Sequence, residues 1–369
     1  MRRALATTTA LLALAAVACV DDDIPPRPTM DARVTTDDGG ADAPDGDDGG
    51  AGDDGGAPDG GAVLLASASP CGDMKLVVSA GVLYWTEAAT GTVNSVPTSG
   101  GRPTVIATGQ GAPGAIAVDA TSLYWVASDR RIVQRRPLAG GSVTVLVAAS
   151  TDIEKFGDEN QINALLVASG TLFFGRYTYT SRVPSDGDQT TLPKVIADSP
   201  VTDLGRPGAY ALDGRYLYQV EIFHNAVTRE VTDGTQNGLL EDGLTRQPFA
   251  PDRIAVSQGE LLTDAIGIVD DHVVWANGPS IYRTDVAQGT TPILVTTTTG
   301  GGGVTGFVIS NGFVYFGEGD ANTVQVSPVY DGAPRIIAAD QLSPGQFAAD
   351  DTNIYWRTSD CRIMKLAKP

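Results

Sequence analysis

The feature that most limits what this chain can fold into is a short, aromatic-bearing strand that recurs seven times. It reads LYW from Leu83, LYW from Leu123, LFF from Leu172, LYQ from Leu217, VVW from Val273, VYF from Val314 and IYW from Ile354. Successive copies start 40, 49, 45, 56, 41 and 40 residues apart. That period is the length of one four-stranded propeller blade, and the text between copies is strand-patterned rather than helical. The second repeat shows the whole unit: GAIAVD ending at Asp119, SLYWVA, RIVQRRPL and SVTVLVAA. Alternating β-branched residues mark each segment as a strand with two packed faces. The 44 glycines and 22 prolines supply the many turns such a chain requires.

The sequence therefore predicts an all-β, seven-bladed β-propeller spanning residues 62–369, with six or eight blades as alternatives because the fourth repeat matches the pattern poorly. The last repeat is one strand short: after IYWRT and CRIMKLA the sequence ends at Pro369. The segment AVLLASA, Ala62 to Ala68, is the spare strand that closes the ring, so that no open sheet edge remains between the first and last blades. Of three cysteines, Cys71 and Cys361 flank the two strands that would meet there, and they are expected to form a disulfide in an oxidising compartment.

Ahead of the body come two segments of different character. Arg2 and Arg3 precede the apolar run ALATTTALLALAAVA and then Cys19, the layout of an export signal over residues 1–19. Ala16-Val17-Ala18-Cys19 resembles a bacterial lipobox with alanine in the usual leucine position, which implies lipidation of Cys19; plain secretion with cleavage after Ala18 is the alternative. Residues 20–61 hold 13 Asp against Arg27 and Arg33, with no aromatic residue. Such a stretch cannot bury enough apolar surface to offset its ordering entropy, so it reads as a disordered, charge-extended tether. It accounts for −11 of the net charge of −19; with +2 from the signal segment, the body is left at −10. No basic stripe is present to neutralise phosphates, and nucleic acid is not an expected partner.

The residues LYWTE from Leu83, GTVNSVPTSGG and GAIAVD together resemble the YWTD repeat of low-density-lipoprotein-receptor-type propellers. The resemblance covers Lys75 to Lys365 and is strongest in repeats one, two and seven, while the Thr-Asp half of the motif survives only as Thr86-Glu87. It implies the architecture and an extracellular binding habit. Those propellers have six blades, so no ligand residue is carried over.

Catalytic chemistry finds little support. The chain has two histidines, His224 and His272, and neither lies in a metal-ligand spacing. There is no nucleophile elbow. Gly109 to Gly114 fits a dinucleotide-binding pattern but runs into a strand where that chemistry needs a helix, so it reads as a loop between blades. No cofactor is expected. Asp119, Asp213, Asp270 and Asp350 recur at the ends of innermost strands. They could ring one channel mouth and hold a cation, but a local job in capping each turn explains the repetition better. His272 beside Asp270 and Asp271 reads as a polar turn residue.

Departures from the repeat point elsewhere. Arg130 and Arg131, Phe156, Tyr177 and Tyr179, and Phe223 and His224 fall in connections that a propeller gathers on one face. They form a candidate ligand face, aromatic with a basic edge, suited to a protein, peptide or polysaccharide. Exposed loop residues without a ligand are the plainer account. The insertion 235–251 should lie on the opposite face and has no assigned role. The expectation is an exported, monomeric binding or scaffolding propeller that meets the membrane only through its lipid. A metal-dependent propeller enzyme of lactonase or lyase type, with its site at the channel mouth, is the alternative.

Overall fold

The structure is a computed structural model that describes residues 61–148, 161–176, 179–188, 190, 193–198, 207–213, 216–221, 226–231, 252–256, 265–286, 291–330 and 332–369. Every regular element among them is a β-strand. The chain opens with β1 (Val63–Ser67). Blade one is β2 (Met74–Ser79), β3 (Val82–Glu87), β4 (Thr92–Pro97) and β5 (Thr104–Ala107). Blade two is β6 (Ile116–Val118), β7 (Ser122–Ala127), β8 (Ile132–Pro137) and β9 (Thr144–Val147). Blade three is β10 (Ile162–Ala168), β11 (Thr171–Arg176), β12 (Tyr179–Pro184) and β13 (Lys194–Asp198). Blade four is β14 (Pro207–Leu212), β15 (Tyr216–Glu221), β16 (Ala226–Val231) and β17 (Asp252–Val256). Blade five is β18 (Ile266–Val269), β19 (His272–Asn277), β20 (Ser280–Asp285) and β21 (Ile293–Thr297). Blade six is β22 (Val304–Ser310), β23 (Phe313–Glu318), β24 (Thr323–Pro328) and β25 (Arg335–Ala338). β26 (Gly345–Ala349), β27 (Asn353–Arg357) and β28 (Arg362–Ala367) end the chain.

These strands form seven four-stranded antiparallel sheets. Six run in chain order, and the seventh, β26-β27-β28-β1, joins both ends of the body in one sheet. Val63 lies opposite Lys365 and Ser67 opposite Arg362. Just beyond that pair, the Ala68 N–H donates to the Cys361 carbonyl at 3.0 Å, and Cys71 is disulfide-bonded to Cys361. The first strands β2, β6, β10, β14, β18, β22 and β26 touch in succession and return to β2, which makes the assembly a closed β-propeller.

Each aromatic motif is the second strand of its sheet, and its alternation explains how blades cohere. Leu123, Trp125 and Ala127 of β7 pack on Val77, Tyr84 and Val93 of blade one. Tyr124 and Val126 turn the other way, onto Ile162, Leu165 and Phe174 of blade three. A strand covered on both faces reads as a continuous apolar run, which is why these segments stand out in the sequence.

Polar ties also cross between blades. Trp125 Nε1 donates to Gln110 Oε1 at 2.8 Å, and Trp356 Nε1 to Gln341 Oε1 at 3.2 Å, with 15 residues separating the partners in both cases. Fifteen residues before Trp85 stands Pro70, and the buried Trp85 Nε1 has no partner. Thr86, a remnant of the YWTD-like motif, donates to the Gly114 carbonyl at 2.8 Å and so links blade one to blade two.

Candidate functional site

The ring has two ends, and they spend their polar groups differently. At one end lie the turns between first and second strands. Asp119 Oδ1 accepts from the N–H groups of Thr121 (2.7 Å) and Ser122 (2.8 Å), and its Oδ2 from the Tyr124 hydroxyl at 2.9 Å. Asp350 repeats the arrangement with Thr352 (2.8 Å), Asn353 (2.7 Å) and Tyr355 (2.6 Å). Asp213 does so with the Tyr216 N–H at 2.8 Å and the Tyr218 hydroxyl at 2.6 Å. Burial by itself would raise the Asp119 and Asp350 carboxyls. The hydrogen bonds outweigh it and hold both below the usual carboxylate range. These aspartates cap their own turns.

Asp270 departs from the expected pattern. Its backbone is left-handed, at φ 49°, in the two-residue turn that joins β18 to β19, and its carboxylate accepts from the Tyr330 hydroxyl of blade six at 2.5 Å. Burial, followed by that bond to Asp270, pushes the Tyr330 hydroxyl up to about 12. His272 is the first residue of β19 rather than a turn residue, and its ring meets Tyr330 edge-on at 5.6 Å. The Arg283 guanidinium lies 4.6 Å from the centre of the same ring. Among the described residues, no three His, Cys, Asp or Glu side chains cluster as metal ligands would.

The other end carries the loops on which the candidate ligand face was placed. Arg130 does not form an exposed edge. Its side chain is 13 % exposed, and Nη2 lies 3.5 Å from Asp73 Oδ2. Its backbone is left-handed, at φ 67°, and its carbonyl accepts from the Ile162 N–H at 2.6 Å. One arginine therefore ties blades one, two and three. The Arg131 N–H closes the β7–β8 turn on the Ala127 carbonyl at 3.1 Å. Arg176, which the sequence did not single out, ends β11 and donates to the Ala148 carbonyl at 3.1 Å with its guanidinium 5.4 Å from the Phe174 ring. Tyr179 opens β12 opposite Arg176. Cys19, Phe156, Tyr177, Phe223, His224 and the insertion 235–251 lie outside the described residues.

A different set of groups converges at this end. Four first strands, β10, β14, β22 and β26, shift register near their starts, on the loop side. Bulges of this kind re-aim a side chain and are frequent beside functional sites. Ile162, Leu165 and Val167 pack toward blade two, and Ala164 and Leu166 toward blade four. Asn163 is the residue left over in that alternation. It is 6 % exposed, and its Oδ1 is buried with no hydrogen-bond partner. Thr305, at the β22 shift, donates to the Pro344 carbonyl. Gln346, at the β26 shift, is left-handed at φ 52°, and its Oε1 is likewise buried and unpartnered.

Blade one adds the charges. Lys75 is 3 % exposed, and its Nζ stands 3.5 Å from Asp73 Oδ1. Asp73 Oδ2 is buried and accepts no hydrogen bond even with Arg130 at 3.5 Å. Arg130 connects the two halves of the site: its side chain reaches Asp73, and its carbonyl holds the residue before Asn163. The Asp73 side chain is 27 % exposed and ion-paired, so its desolvation is offset, whereas the Asn163 acceptor has no such compensation and is costly in a folded protein. Asn163 has no signature in the sequence, because QINALLVA reads as an unbroken strand and a bulge adds no marker residue.

No family model matches the chain, and no curated protein matches its sequence. Solved structures resemble it in fold. A virginiamycin B lyase from Staphylococcus aureus superposes with a TM-score of 0.65 at 14% identity, over 84% of this chain and 98% of that one. The WD40 β-propeller domain of Doa1 gives 0.62 at 12% identity, over 84% and 97%. BamB from Moraxella catarrhalis gives 0.51 at 10% identity, over 79% and 84%. The neighbours thus include both an enzyme and proteins of other kinds on one architecture, and at these identities the likeness is one of fold.

Proposed function

We propose that this chain is an exported binding propeller, anchored to a membrane surface through lipid on Cys19 and held off it by the acidic tether, with its ligand meeting the loop end of the channel. The observation that carries this reading is Asn163 Oδ1, a buried acceptor without a hydrogen-bond partner at that end, next to the inter-blade tie made by Arg130. A buried polar atom without a partner calls for an explanation, and a bound group that completes its hydrogen bonding is one. The disulfide between Cys71 and Cys361 fits an oxidising compartment outside the cytoplasm. Arg131, with Phe156, Tyr177, Tyr179, Phe223 and His224, would form the rim around that mouth and contact a protein, peptide or polysaccharide.

The test is site-specific photo-crosslinking from position 131 in the full chain, exported in its native cells. A discrete adduct that disappears when the crosslinker is moved to position 313, a partly exposed strand residue at the opposite end of the ring, is the expected result. Identical adducts from both positions would remove the reading. A metal-dependent lyase or lactonase at the same mouth is the second reading, since Asp73 and Asn163 offer the oxygen atoms that a hard cation takes. Stoichiometric metal in the purified chain would favour it.

A further inference from the structure

We draw no further inference here: the strongest candidate, the partly exposed Tyr330 ring held between Asp270, His272 and Arg283 at the seam of blades five and six, is a surface patch of mixed charge, and nothing in the structure shows what covers it.

Discussion

The two ends of this propeller are built from the same repeat and do opposite things with it. At the turn end, Asp119, Asp213 and Asp350 each receive backbone N–H groups from their own turn and the hydroxyl of a tyrosine five residues on. At the loop end, the bulge residues Asn163 and Gln346 each keep a buried oxygen without a donor. Recurrence marks the groups that hold the fold. A buried acceptor that the fold leaves unsatisfied is one that a ligand can use.

The largest test of this contrast concerns the latch that the loop end also carries. Cys71 and Cys361 are 290 residues apart and bond the first loop of the body to the β27–β28 hairpin. In the chain-entropy account, releasing so long a loop costs about 5 kcal/mol of stability. The Cys71→Ser, Cys361→Ser double variant should therefore show the largest drop in unfolding midpoint of any change considered, read by denaturant titration. It should also weaken ligand binding, because Asp73 sits two residues from Cys71. Full binding in the double variant would mean that the mouth does not depend on ring closure.

At the turn end, Asp350→Ala removes four hydrogen bonds to one oxygen and that of Tyr355 to the other. A loss of about 2–3 kcal/mol is expected, with ligand affinity unchanged. The same carboxylates set a pH dependence. Their folded-state values lie below the unfolded value, so their contribution is complete above about pH 4 and fades as the pH falls through the folded value. Thermal unfolding of the parent protein should weaken below about pH 4, and Asp350→Asn should flatten that dependence. An unaltered acid profile in the variant would show that other groups govern it.

Much of the architecture was legible because it repeats. The seven aromatic segments are all second strands, Ala62 to Ala68 overlaps β1, and the two body cysteines are bonded. Turn capping by Asp119, Asp213 and Asp350 is legible from position alone, whereas nothing in the motif tells that its tyrosine completes each cap. Asp270 looked equivalent, but its two-residue turn leaves the carboxylate facing a tyrosine of the next blade. At the loop end, the sequence shows only the charge of Arg130. Its use depends on Asp73, 57 residues away in sequence, and no local pattern announces such a pair.

The tryptophan ties offer a smaller effect inside the frame. Gln110→Leu strands the indole N–H of Trp125 in the interior and should cost about 1–3 kcal/mol. In blade one that loss has already occurred, since Trp85 Nε1 has no acceptor. Trp85→Phe should therefore be milder than Trp125→Phe, which also leaves Gln110 Oε1 unpaired. Equal losses in the two variants would show that ring volume, not the hydrogen bond, decides.

The smallest expected effect on stability is the most telling. Replacing a satisfied buried amide by leucine is destabilising, but Asn163 Oδ1 is not satisfied. Removing it relieves a desolvated acceptor at nearly constant volume, so Asn163→Leu should leave the unfolding midpoint unchanged or raise it by up to about 1 kcal/mol. A residue kept for the fold would lose stability on removal. One kept for a ligand loses the ligand and leaves the fold at least as stable, the trade expected where a binding site is held at the expense of packing. If Asn163→Leu instead unfolds as easily as Asp350→Ala, its oxygen has a partner in solution, and the distinction between the two ends of the ring disappears.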